Sequence, residues 1–201
     1  MLNVRVNRIS GNSVDHNRIS LDINSNTIAG IYGRRKHLLM YLLSGQKSFD
    51  GDIVLNSVSL KGNYEEYLEQ IAFLTKDSPV STNLSVNDFL DFFGSMDHVI
   101  NDQYENRKKT LLKEFGLHKS MDTAINQLKE KDQKIVKLIS LFLKERSLIL
   151  LDAFLESFQN YDFTKVIHFL KKYADKDKIV LICSEDYKLL KSMEEPIYII
   201  D

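Results

Sequence analysis

The residues best placed to do chemistry lie in Thr27-Ile-Ala-Gly-Ile-Tyr-Gly-Arg-Arg-Lys-His-Leu-Leu-Met-Tyr-Leu-Leu-Ser-Gly45, where glycines and a lysine sit between two apolar runs. A glycine turn followed by a lysine is the composition of a phosphate-binding loop. Successive backbone N–H groups wrap the anion, the ammonium reaches its outer oxygens, and a hydroxyl on the next residue holds Mg²⁺. Two registers of the form G-x-x-x-x-G-K-[ST] are open. In one, Gly30 is the first glycine, Arg35 replaces the second and His37 replaces the hydroxyl. In the other, Gly33 is the first glycine and only Arg34 and Arg35 separate it from Lys36, so the loop is shortened. The second register is preferred, because the first leaves a strand of only Thr27 to Ala29 where strands usually run ~5–6 residues. Gly30, Gly33, Lys36 and His37 are the candidate nucleotide-binding residues, and in either register the anion cradle is incomplete.

The elements that must position this loop are legible as apolar patterns. Ile28 to Tyr32 reads as a strand covered on both faces, and Leu38, Leu39, Leu42 and Leu43 repeat at helical spacing up to a Ser44-Gly45 cap. Leu2, Val4, Val6 and Ile19, Leu21, Ile23 alternate as antiparallel strands do, with the turn-rich Ser10–His16 between them. Gly51 to Leu60 forms a further turn and alternating strand, and Ile71–Leu74, Leu148–Leu151 and Ile179–Ile182 are short apolar runs suited to a parallel sheet. Ser85 with Asp88 three residues on is a helix-start box, and Val86, Phe89, Leu90 and Phe93 share one face of the helix that follows.

Composition narrows the function classes. With 201 residues, net charge −1, 43% hydrophobic residues and one cysteine, the chain is sufficient for one α/β domain with a small insert and is not a basic nucleic-acid binder. No apolar run approaches the ~20 residues of a membrane span, and Met1-Leu-Asn-Val-Arg-Val lacks a signal-peptide core, so a cytoplasmic protein is expected. Cys183 ends an apolar run and reads as a buried small hydrophobe. His16, His98, His118 and His168 share no metal-ligand spacing, and the Lys129–Lys134 and Lys171–Lys178 charge runs read as wet surface.

From about residue 19 onward the sequence resembles the ATP-binding cassette ATPases of ABC transporters. Gly51-Asp-Ile-Val-Leu-Asn56 resembles the family's second turn and strand, Ile71–Lys76 its Q-loop strand, and Asn83-Leu-Ser-Val-Asn-Asp-Phe-Leu90 the helix start that follows. Lys108–Leu117 resembles the helix before the signature loop, and Ser147-Leu-Ile-Leu-Leu-Asp152 the Walker B strand, whose aspartate binds Mg²⁺ through water. Lys178–Asp186 resembles the strand and switch loop after it, and Pro196–Ile200 a late strand. The resemblance implies a P-loop NTPase-like α/β fold. It would have a mostly parallel core sheet, a small antiparallel β subdomain and a helical subdomain at about residues 82–128, all within one nucleotide-binding domain spanning 1–201. The helix carrying Ile135, Leu138, Ile139 and Phe142 is expected under the Walker B strand. ATP and Mg²⁺ are the implied cofactors. An integral-membrane permease and a second cassette, in a homodimer or heterodimer, are the implied partners. The implied location is peripheral, on the inner face of the cell membrane.

The departures from the family fall on chemistry. The signature positions are Leu128, Lys129, Glu130, Lys131 and Asp132, where two carboxylates would repel the γ-phosphate that the family's serine and glycine amides hold. Ala153 stands at the catalytic glutamate and cannot accept a proton, and Glu185 stands at the switch histidine, with Ser184 one position earlier. Lys76 replaces the Q-loop glutamine, and Gln159 the D-loop aspartate. One lost transition-state contact typically costs ~2.7–4 kcal/mol, so the combined losses leave little hydrolysis. The favoured reading is a pseudo-ATPase subunit that pairs with an active cassette or a permease. A conventional ATP-driven subunit and a non-transport regulatory or immunity-type protein of the same fold are the alternatives. Docking on a permease would use Lys76, Val80, Leu84 and Phe92, by resemblance to the groove that receives a coupling helix.

Overall fold

The structure, a computed structural model, describes residues 1–9, 18–78, 82–96, 101–158 and 160–201. In chain order its elements are β1 (Leu2–Ile9), β2 (Ile19–Ile23), β3 (Thr27–Tyr32), α1 (Lys36–Leu43), β4 (Phe49–Leu55), β5 (Val58–Ser59), α2 (Tyr64–Glu69), β6 (Ile71–Thr75), α3 (Val86–Met96), α4 (Asp102–Glu114), α5 (Glu130–Leu141), β7 (Leu148–Asp152), α6 (Asn160–Ala174), β8 (Ile179–Cys183), α7 (Tyr187–Ser192) and β9 (Ile197–Ile199). They divide into two compact units, residues 1–76 with 146–201 and residues 77–145.

The first unit holds two sheets. β6, β7, β8, β3 and β9 lie side by side in that order and all pair in parallel, while β2, β1, β4 and β5 form an antiparallel sheet. The fold class is α/β, with a parallel sheet, an antiparallel sheet and helices. Every residue of β7 and β8 is buried, which is why both read as continuous apolar runs, whereas β2 alternates buried and exposed because only one face of its sheet meets the core. At roughly 25 cal/mol per Å² of apolar surface, each fully buried Leu or Ile of β7 contributes about 1.5–3 kcal/mol. α1 buries Leu39, Met40, Leu42 and Leu43 and ends where the Gly45 N–H donates to the Leu42 carbonyl at φ +73°.

Parallel pairing aligns the strand ends. Thr75 is opposite Asp152, Asp152 opposite Cys183, and Cys183 opposite Ile31, so the last residues of β6, β7 and β8 and the penultimate residue of β3 form one row. Ligands of open parallel sheets bind beyond such carboxyl ends.

The second unit is helical. The Ser85 hydroxyl accepts from the Asp88 N–H at 3.1 Å and donates to the Asp88 carboxylate at 2.6 Å, forming the helix-start box of α3. Against α3, the Lys108 ammonium of α4 is buried and donates to Asp91 at 2.5 Å and Glu105 at 3.0 Å, while the Tyr104 hydroxyl donates to Asp91 at 3.0 Å. A buried lysine is tolerable only with such partners. Val86 and Leu90 face inward, while Leu84, Phe92 and Met96 are exposed. α5 belongs to this unit and packs on α3 and α4.

Candidate functional site

The loop between β3 and α1 is built by its glycine. β3 runs through Tyr32, so Gly30 sits mid-strand, paired with Ile182 and Ile197, and Gly33 makes the turn. Gly33 adopts φ +109°, and a Cβ there would lie 2.4 Å from the Ile200 carbonyl oxygen. Both the conformation and the space require glycine. Only Arg34 and Arg35 then intervene before α1 begins at Lys36. The Arg35 N–H donates to the Ile200 carbonyl at 3.0 Å and the Arg34 N–H to the Asp201 carboxylate at 3.2 Å. The two amides are thus occupied by the chain that leaves β9, and one of them already carries an anion.

Lys36 is buried, with its ammonium 2.9 Å from Glu185 Oε2 and donating to the Gly33 carbonyl at 3.3 Å. His37 lies across the row of strand ends, with Nδ1 2.5 Å from Asp152 Oδ1 and 3.5 Å from Cys183 Sγ, and Nε2 2.9 Å from Glu185 Oε1. The Cys183 thiol donates to Asp152 Oδ1 at 2.8 Å. Lys36, His37, Asp152, Cys183 and Glu185 therefore form one connected network at the carboxyl end of the parallel sheet.

The titration behaviour follows from these contacts. Partial burial works against a charge on His37, but the hydrogen bonds to Glu185 and Asp152 outweigh it, and the imidazole pKa is raised. Hydrogen bonds from His37 and then Lys36 hold the Glu185 carboxyl below its ordinary value. Burial first, and the neighbouring Asp152 carboxylate second, push the Cys183 thiol up. Below the raised histidine value an imidazolium bridges two carboxylates.

Ala153 follows Asp152 in the left-handed region at φ +52°, with its N–H donating to the Cys183 carbonyl at 3.0 Å. Its methyl group offers no proton acceptor. The loop carrying Glu185 is held by Glu156, whose Oε1 accepts from the Ser184 hydroxyl at 2.8 Å and the Glu185 N–H at 2.7 Å, and whose Oε2 lies 3.6 Å from the Lys76 ammonium. Sequence reasoning assigned Glu156 no role and Cys183 only that of a hydrophobe. The available signal was positional, since Cys183 ends a strand whose neighbour ends in Asp152 and Glu156 lies four residues after Asp152.

The other sequence-predicted residues lie elsewhere. Leu128, Lys129, Glu130, Lys131 and Asp132 belong to the second unit, where Lys129 precedes α5 and Glu130 pairs with Lys134 at 2.6 Å. Two carboxylates in the first turn answer the positive end of α5 from within the chain, which leaves little attraction for a phosphate. Lys76 ends the first segment of the first unit, Leu84 and Phe92 are in the second, and Val80 and Gln159 lie outside the described residues, as do His16 and His98. No helix among the described residues is long and apolar enough to cross a membrane.

MgATP does not fit the site as built. Lys36 is paired with a carboxylate and the loop amides with Asp201 and Ile200. The groups around Asp152 are an imidazole and a thiol, whereas Mg²⁺ demands oxygen donors.

A family model described as ABC transporter matches residues 16–155. The chain is 28% identical over 169 residues to the cytochrome c biogenesis ATP-binding export protein CcmA of Aliivibrio fischeri, covering 83% of this chain and 81% of that protein. Among solved structures, an ATP-binding subunit of an ABC transporter superposes with a TM-score of 0.78 at 18% identity, over 92% of this chain and 79% of the other. A Pyrococcus furiosus protein assigned as an ABC transporter ATP-binding protein gives 0.78 at 18% identity, over 98% and 96%. These two likenesses show the cassette fold.

Proposed function

Since the chain belongs to the ABC transporter family as an ATP-binding domain, we propose that it is a subunit whose catalytic site has been rebuilt, and that it acts by pairing and docking instead of hydrolysis. Family members bind ATP with Mg²⁺, dimerise and join membrane permeases. In this chain the Mg²⁺-hydroxyl position is His37, the switch position is Glu185, and the two side chains bond each other at 2.9 Å. That contact carries the reading. It is supported by the pairing of Glu185 with Lys36, read as the phosphate lysine, and of His37 with Asp152, read as the metal aspartate, while an alanine at position 153 would give an attacking water no orienting group. The subunit would then contribute its fold, lying against the inner face of the membrane with an intact cassette or a permease. A conventional ATP-driven role is the second reading, favoured by the 28% identity to a protein named as an ATP-binding export protein.

The test is purification of the chain from membranes under mild detergent, followed by assay of the purified chain alone with MgATP. The proposed function predicts that a membrane protein or second cassette accompanies it and that the isolated chain turns over no ATP. Turnover in the ordinary range of ~1–10³ s⁻¹, abolished by Lys36→Ala, would establish the conventional role instead.

A further inference from the structure

The donor set around Asp152 suits a different cation from the one the family uses. His37 on α1, Asp152 at the end of β7 and Cys183 at the end of β8 each offer one ligand atom, and these atoms lie within 4.8 Å of one another. We propose that these three residues form a binding site for a borderline divalent metal of the zinc class, with Glu185 as the supporting carboxylate and the fourth position open to solvent. The proposal stands apart from whether the chain hydrolyses ATP.

Three observations converge on it. First, the chemistry is mixed nitrogen, sulfur and oxygen, the set that zinc-class ions take and Mg²⁺ does not. Second, the spacing is nearly that of a tetrahedral edge. Bonds of ~2.0–2.3 Å place neighbouring ligands roughly 3.3–3.8 Å apart. Cys183 Sγ and His37 Nδ1 already stand 3.5 Å apart. The contacts of 2.5 and 2.8 Å to Asp152 Oδ1 are hydrogen bonds that lengthen by about an ångström when the metal takes the place of the shared protons. His37, whose side chain is 39% exposed, lengthens its contact by moving outward, and the Asp152 and Cys183 side chains rotate apart while the parallel register of β7 and β8 keeps their backbones adjacent. Third, the supporting shell is present. Glu185 faces Nε2 while Nδ1 faces Asp152 and Cys183, the arrangement in which a carboxylate takes the remote imidazole proton and turns the other nitrogen toward a metal. Lys36 and Glu156 in turn hold Glu185.

The experiment uses the full chain, freed of metal by a chelator. Titration with Co²⁺ is followed by absorption, and titration with Zn²⁺ by calorimetry. Expected are one equivalent of Co²⁺, the intense visible bands of tetrahedral coordination and a thiolate-to-metal band in the near ultraviolet, all displaced by Zn²⁺ and unaffected by excess Mg²⁺. Cys183→Ser should remove the thiolate band, and His37→Ala, at a half-exposed position that tolerates truncation, should weaken binding at least tenfold. Glu185→Gln should keep the band and weaken binding by 10–100-fold, as loss of an outer-shell partner does. Stoichiometric binding without the thiolate band, full affinity in His37→Ala, displacement by Mg²⁺, or no saturable binding would each overturn the assignment.

Discussion

Glu185→Gln should improve nucleotide binding, an unusual outcome for a substitution inside a nucleotide site. The Glu185 carboxylate spans Lys36 at 2.9 Å and His37 at 2.9 Å, so a phosphate approaching the ammonium must displace a like charge from it. Two unit charges 4 Å apart interact by ~1 kcal/mol in water and ~4 kcal/mol at an effective dielectric of about 20. The Glu185 side chain is 65% exposed, so the low end applies. Glutamine keeps the shape and removes the charge. The expected gain is therefore about 1 kcal/mol, or roughly fivefold tighter binding of a fluorescent ATP analogue. The gain should shrink as salt approaches ~1 M, where the Debye length falls to about 3 Å. Binding no tighter than in the parent chain, or a gain indifferent to salt, would refute the claim that Glu185 competes with phosphate for Lys36.

Four other substitutions probe the loop, the core and the docking surface. Ala153→Glu should yield no ATP turnover in a coupled assay, because the loop amides and Lys36 remain occupied; a clear gain would show that a carboxylate beside Asp152 was the one missing part. Gly33→Ala should destabilise by about 2–4 kcal/mol in denaturant melts, since the methyl meets backbone oxygen at 2.4 Å in a conformation that disfavours alanine. Lys137→Met should stabilise by about 1–2 kcal/mol at pH 7. Burial lowers the Lys137 pKa to about 8, so the folded state bears the cost of the charge below that pH. The parent chain should recover the difference as pH rises through about 8 towards 10. On the docking proposal, Phe92→Ala, at a residue 53% exposed, should leave circular dichroism unchanged yet cost ~2 kcal/mol or more of affinity for the proposed membrane partner, visible as lost co-purification.

Much of the fold is legible because burial writes itself into pattern. β7 and β8 are apolar throughout since both faces are covered, and the Ser85-Asp88 box announces α3 by a hydrogen bond that needs only four residues. The loop register is also readable, because a strand through Tyr32 buries four consecutive residues whereas one ending at Ala29 would not. The site is less legible. His37 lies 115 residues from Asp152 and 148 from Glu185, and the meeting of these side chains with Cys183 depends on parallel register that no local pattern encodes. A cysteine at the end of an apolar run looks like one more hydrophobe until the ladder places it opposite an aspartate.

That register changes how the departures from the family should be weighed. Taken one at a time along the chain, histidine for a hydroxyl residue, glutamate for histidine and alanine for glutamate look like independent decay. In space the first two answer each other. An imidazole beside Asp152 brings a cation or a proton to a carboxylate that would otherwise wait for Mg²⁺, and Glu185 supplies the counter-charge to that imidazole and to Lys36. Each keeps one partner without the other, His37 on Asp152 and Glu185 on Lys36, and the contact between them closes the two pairs into one network. On the metal-site proposal made above, the network has its own donor set, and its ligand should be sought among ions that favour nitrogen and sulfur.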